Sequence, residues 1–208
     1  MASMRFHPFG LFGLLSVLST LSAAENLKMH TIRGLMTTCG DNVVLRCNVT
    51  TDGALDITEF SWKDSKDICN WGQPTNRTDM QCMTATSTNS YNYSLTIYNI
   101  QPKHTGAYHC QLHSKQGSRN GKTFVQVHKC VGKSTVRVNS TDGTCIFEDV
   151  FPRSGVSWKQ GNDDSISHLA TTTVTENEKG LFTVVSTMKV KKGSILLQCV
   201  YMFTLDAR

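Results

Sequence analysis

Apolar and polar residues alternate along this chain in short runs, with the period of two expected of strands half-buried against a core. Val43, Leu45 and Cys47 make the first clear run, and Phe60 and Trp62 the second. Tyr93, Leu95 and Ile97 follow, then Tyr108, Cys110 and Leu112, then Thr123, Val125 and Val127. A second series begins with Ser134 to Val138. It continues through Cys145 to Phe147, Val156 to Lys159, Leu181 to Val190 and Leu196 to Phe203. Short strands in two successive series predict an all-β chain of two units.

Cysteine and tryptophan sharpen that expectation. Cys47 is followed by Trp62 and Cys110, and the same frame recurs as Cys145, Trp158 and Cys199. Such a frame suits a sandwich whose two sheets are joined by a disulfide against which an indole packs. Tyr108 stands two residues before Cys110, the position from which a phenol hydroxyl ties a corner back to the backbone. The expected fold is two tandem immunoglobulin-like β-sandwiches. Residues 25–130 read as a variable-type domain, because the wider first frame leaves room for C′ and C″ strands. Residues 131–208 read as a constant-type domain, with the joint at Val131 to Lys133. In that second domain Leu197 takes the tyrosine-corner position, and only nine residues follow Cys199. The last strand is therefore expected to be missing from a truncated chain, leaving strand F as an open edge.

Composition places the chain. Residues 1–24 read as a secretory signal, with Arg5 before an apolar stretch from Phe9 to Leu21 and small residues at Ser22, Ala23 and Ala24. That stretch falls short of the ~20 residues needed to span a bilayer, and no later stretch is long or apolar enough. The eight cysteines all follow the signal, an even number suited to the oxidising secretory pathway and an extracellular destination. The formal net charge of +5 is mild, and no run of Lys and Arg interleaves with aromatics, so nucleic acid is not an expected partner.

Four cysteines lie outside the two frames: Cys39, Cys69, Cys82 and Cys130. Four cysteines allow three pairings. In a variable-type sandwich strand A′ runs parallel to strand G, which brings Cys39 and Cys130 to the same end. Cys69 and Cys82 then close the C′–C″ region. Cys69 and Cys82 lack the short spacing of a zinc site, and His109 and His113 merely share a strand face, so no metal is expected. No cofactor is expected either.

Asn-x-Ser/Thr acceptors occur at Asn48, Asn76, Asn92 and Asn139. Asn48 on strand B and Asn92 on strand E point outward from one sheet of the first domain. The opposite sheet carries no acceptor on its strands and is the expected protein interface. Its outward positions are Glu59, Ser61 and Lys63 on strand C, with His109, Gln111 and His113 on strand F. Lys63, Gln111, His113 and Phe124 are the expected receptor contacts. Phe124 points outward as an anchor if strand G is regular, and into the core if strand G carries a bulge. Ser114 to Lys122, rich in Gly and basic residues, reads as a loop beside that face.

The pair Phe151-Pro152 between Cys145 and Trp158, the Gln160-Gly161 turn, and the run Leu181 to Val190 resemble the membrane-proximal domain of the T-cell costimulatory ligand and butyrophilin family. The order signal, variable-type domain, constant-type domain matches that family over the mature chain. The resemblance implies a ligand, on the cell surface or secreted, for a costimulatory or co-inhibitory receptor on T cells or for a natural-killer receptor. It implies a protein receptor on lymphocytes as partner, no small-molecule substrate, and a membrane anchor in a longer parent chain. His104 departs from the pattern, which has Asp there paired with Arg on strand D. The alternative reading is a homophilic or heterophilic adhesion molecule or a virus-encoded immune decoy. No Gly-x-Ser-x-Gly elbow or phosphate loop occurs, and Asp163-Asp164 reads as a solvated turn, so the chain is not expected to be an enzyme.

Overall fold

A computed structural model describes residues 26–161, 166–189 and 197–203. The signal read in residues 1–24 and the Asp163-Asp164 pair lie outside the described residues.

The first domain holds nine strands: β1 (Lys28–Thr31), β2 (Gly34–Thr38), β3 (Val43–Thr50), β4 (Ile57–Lys63), β5 (Asp67–Asn70), β6 (Met80–Ser87), β7 (Ser90–Ile97), β8 (Gly106–Ser114) and β9 (Gly117–Lys129). They form two sheets, ordered β1-β3-β7-β6 and β2-β9-β8-β4-β5. The alternation read from the sequence is what decides which residues meet between them. Leu45, Cys47, Phe60, Trp62, Leu95, Cys110 and Leu112 are all sealed in the gap. Each large aliphatic or aromatic side chain so buried contributes roughly 1.5–3 kcal/mol. The Trp62 indole donates to the Tyr93 carbonyl at 3.0 Å, so its one polar atom is satisfied in the core. Beside it runs the Cys47–Cys110 bond, with Cα atoms 6.4 Å apart.

The remaining cysteines pair as Cys39–Cys130 and Cys69–Cys82. The first bond follows from β2 lying parallel to β9, which carries Cys39 beside Lys129 and leaves Cα atoms 5.0 Å apart. The second differs from its expected setting, because no C″ strand forms among the described residues. Trp71 folds back and stacks on Phe60 with ring centroids 5.2 Å apart, which draws the chain off the sheet edge. The chain then turns at Gly72, where φ is +76°, and enters β6 directly. Cys69 on β5 and Cys82 on β6 therefore clamp one sheet to the other. Replacing both with serine is expected to cost about 3 kcal/mol through the freed unfolded chain. Chemical denaturation of the full chain checks this, and non-reducing peptide mapping should recover the same two links.

A second correction concerns Ser114 to Lys122, which is no loop. β8 and β9 pair without a break from Gly106↔Val125 to Ser114↔Gly117, leaving a two-residue turn at Lys115 and Gln116. The glycines that suggested a loop serve the strand. A Cβ at Gly121 would come within 2.5 Å of the Thr31 side chain, so the close passage of β9 by β1 leaves no room for a side chain there.

The second domain holds β10 (Lys133–Val138), β11 (Asp142–Val150), β12 (Val156–Gln160), β13 (Thr171–Glu176), β14 (Phe182–Lys189) and β15 (Leu197–Tyr201). The order β10-β11-β14-β13 is the constant-type arrangement. β13, rich in threonine, shows almost no apolar alternation and was not legible. Among the described residues the facing sheet has two strands, β12 and β15. The expectation of a missing last strand falls on residues outside those described.

Leu197 leaves the tyrosine corner empty, and another tyrosine does related work. Tyr201 donates to the Pro152 carbonyl at 2.7 Å and accepts the Ser154 amide at 2.9 Å, tying β15 to the turn before β12. Tyr201→Phe strands both partners and is expected to lower the second domain's stability by about 1 kcal/mol, read as an earlier thermal midpoint.

Candidate protein-binding face

The outer face of the β2-β9-β8-β4-β5 sheet is built in rows fixed by register. One row runs Lys122, His109, Lys63, Asp67 across β9, β8, β4 and β5. The next runs Asn120, Gln111, Ser61, Asn70, and the third Ser118, His113, Glu59. Lys63, Gln111 and His113, read from the sequence as contacts, therefore stand on one surface within three adjoining rows.

Their surroundings differ in how free they are. The Lys63 ammonium lies 3.1 Å from Glu59 and 3.4 Å from Asp67. The hydrogen bond that Lys63 donates to Glu59 raises the Lys63 pKa above its ordinary value, and the same bond lowers that of Glu59. Lys63 thus meets any partner with its charge already shared. Ser61 points outward as expected but is fully covered, donating to Glu59 at 3.0 Å beneath that ion pair. His113 shares a hydrogen bond of 2.8 Å with the Ser118 hydroxyl. A groove of about 520 Å³ opens where β4 meets β5, lined by Ile57, Glu59, Lys63, Asn70 and Trp71 among others.

The two alternatives for Phe124 resolve. The unbroken β8–β9 register admits no bulge at that position, and Phe124 points outward, 44% exposed. Its neighbours in the row are Gly34 on β2 and Ala107 on β8, so no bulk flanks it. Met36, two residues along β2, is 63% exposed on the same face. Sequence reading missed Met36, because a five-residue edge strand gives too short a pattern to orient. Together the two side chains form an apolar tip at one end of an otherwise polar sheet.

The opposite sheet is arranged differently. Asn48 and Asn92 are direct register partners on its outer face, and the Asn92 amide donates to the Asn48 carbonyl oxygen. Arg46 lies two residues along the same face. Asn76 is exposed in the turn between β5 and β6, beside the sheet edge. Asn139 is exposed in the turn after β10, where its side chain accepts the Thr141 and Asp142 amides.

His104 closes the domain's base in a way the sequence did not show. Its carbonyl accepts the Tyr108 hydroxyl at 2.9 Å, completing the expected tyrosine corner. Its ring, 3% exposed as a residue, accepts the Gln101 amide at Nδ1 (2.9 Å) and contacts Asp79 through Nε2 (2.9 Å). An acceptor at Nδ1 makes Nε2 the protonated nitrogen, so Nε2–H donates to Asp79. A pair stands at this place with its partners exchanged: the acid precedes β6, and a neutral imidazole that donates to it follows β7. Burial alone would raise the Asp79 carboxyl, but hydrogen bonds from His104 and Lys103 hold it at about 2. Burial pushes the His104 imidazole below its ordinary value.

The fold and this surface define a disulfide-braced pair of immunoglobulin-like domains. Residues 33–128, within the first domain, match the immunoglobulin V-set domain. No curated protein sequence matches the chain. Among solved structures the chain is similar to Rst D1-D2, with a TM-score of 0.53 at 16% identity over 80% of this chain and 85% of that one. It is similar to bovine butyrophilin, with a TM-score of 0.51 at 13% identity over 86% of this chain and 99% of that one. The extracellular portion of mouse CD200RLa is a third, with a TM-score of 0.52 at 15% identity over 82% and 98%. Likeness at such low identity speaks for the tandem fold alone.

Proposed function

We propose that this protein is an immune ligand, on the cell surface or secreted, that binds a protein receptor on lymphocytes through the β2-β9-β8-β4-β5 face of its first domain. The receptor class is a costimulatory or co-inhibitory receptor on T cells, or a natural-killer receptor. One observation carries the choice of face. Asn48 and Asn92, both glycan acceptors, stand side by side on the other sheet, while this one bears no acceptor on its strands and ends in Phe124 and Met36. An exposed aromatic beside polar groups suits an interface anchor. The fold, with its four disulfides, suits an extracellular setting. The resemblance of Phe151-Pro152, the Gln160-Gly161 turn and the run Leu181 to Val190 to the costimulatory ligand and butyrophilin family supports immune recognition over other uses of the same sandwich.

A receptor panel displayed on cells, probed with the glycosylated chain, tests this reading. Saturable binding to one lymphocyte receptor is the expected result. Strong self-association in sedimentation, with no receptor bound, would favour homophilic adhesion and overturn it.

A further inference from the structure

The two domains meet at the helical turn Pro102–His104. In the second domain the turn after β13 is fixed by Asn177, whose side chain accepts the Lys179 amide at 3.0 Å and the Leu181 amide at 3.1 Å. Its tip docks on the single helical turn Pro102–His104 of the first domain. The Lys103 amide donates to the Lys179 carbonyl at 3.2 Å. At Gly180, where φ is +76°, a Cβ would lie 3.1 Å from the Pro102 side chain, so the approach is close. Leu181, 6% exposed, joins the hydrophobic core of the first domain. At the joint itself Cys130 and Phe151 bridge the two sides of the elbow as an isolated antiparallel pair.

The docking turn is held by two backbone bonds, His104 amide to Gln101 carbonyl and Thr105 amide to Pro102 carbonyl, each 2.9 Å, and by one ring nitrogen. His104 Nδ1 is the acceptor for the Gln101 amide, which closes the turn that presents Pro102 and Lys103. A proton arriving at Nδ1 makes it a donor, and two donors cannot share that 2.9 Å contact. The charged groups around the ring are Asp79 and Arg77 before β6, Lys103 beside it, and Lys179 across the cleft from the second domain. Asp79 favours the imidazolium, while the burial of the ring, Lys103 and Arg77 oppose it. The ring therefore stays neutral near pH 7 and takes its proton under acid conditions.

We propose that the elbow between the domains is acid-labile: neutral His104 holds the turn on which the second domain docks, and a proton on Nδ1 releases it. Leu181 then leaves the core of the first domain, each domain keeps the rest of its own core, and the pair pivots about the Cys130–Phe151 bridge without a fixed angle. A ligand of this design presents its binding face at a set angle to its base at neutral pH and swings free in an acidic compartment.

Small-angle scattering of the full chain between pH 7.5 and 4.5, with near-ultraviolet circular dichroism in parallel, tests this. The maximum dimension is expected to grow at a midpoint below pH 6.5, with the aromatic dichroism kept. His104→Gln supplies an amide for the same contacts and takes no proton, so its scattering should not change over that range. Asp79→Asn removes the group that favours the imidazolium and should move the midpoint to lower pH. Unchanged wild-type scattering would overturn the proposal. So would an equal change in His104→Gln, a midpoint unmoved or raised in Asp79→Asn, or loss of aromatic dichroism together with the expansion.

Discussion

His104→Asp is expected to cost the first domain about 3 kcal/mol at pH 7, lowering its thermal midpoint by about 15 °C. The substitution introduces the residue that the variable-type pattern has at this position, and it does so against the wrong neighbour. Asp79 already waits at 2.9 Å from the ring, so two carboxylates would share a site that is largely closed to water. The Gln101 amide would keep an acceptor, which confines the loss to the charge pair. Exchanging both residues, as His104→Asp with Asp79→Arg, rebuilds an acid–base pair in the usual order. It is expected to recover at least half of the loss, a coupling of ~2 kcal/mol in a double-mutant cycle.

The pH dependence separates this account from simple damage. In the wild type the Asp79 carboxyl sits at about 2 against an ordinary 3.8, so its contribution is whole above pH 3.8 and is lost as the pH falls toward 2. That contribution is about 2 kcal/mol. His104 lies below its ordinary 6.5, so the fold prefers the neutral ring. Its contribution is whole above that value and is lost as the pH falls beneath it. Wild-type stability should therefore fall from pH 7 to pH 5. His104→Asp should become more stable over the same interval, because a proton shared between two carboxylates relieves their repulsion. Parallel curves for the two proteins would contradict the reversed pair.

Much of this architecture was readable from residues alone, and the reasons are physical. A period of two and a fixed cysteine frame leave little freedom once the inner row is named, so Val43, Leu45 and Cys47 on β3 could be oriented without coordinates. Parallel pairing of β2 with β9 was enough to bring Cys39 to Cys130. What stayed hidden depends on contacts between segments far apart in sequence. Asp79 could not be matched to His104 until β6 was placed, and the C″ strand failed because Trp71 found a better place against Phe60. Gly117 and Gly121 read as loop residues, when one ends a tight turn and the other lets two strands pass. On the proposed binding face, Lys63 was legible as outward, but its partners Glu59 and Asp67 and the exposure of Met36 were not.

Phe124 carries the largest expected effect on binding. Truncating an exposed aromatic anchor typically costs ~2 kcal/mol or more, about thirtyfold in affinity. Lys63 should matter far less, because its ammonium is already paired with Glu59 and Asp67 and lies partly open to solvent. Arg46 is the matched control, a surface cation on the sheet that carries Asn48 and Asn92. The decisive measurement is a titration of the identified receptor with Phe124→Ala, Lys63→Ala and Arg46→Ala, each first shown to melt with the wild type. The account predicts a loss of about thirtyfold for Phe124→Ala, a loss of a few-fold at most for Lys63→Ala, and no change for Arg46→Ala. If Arg46→Ala weakens binding more than either of the others, the receptor docks on the opposite sheet and the assignment of the face is wrong.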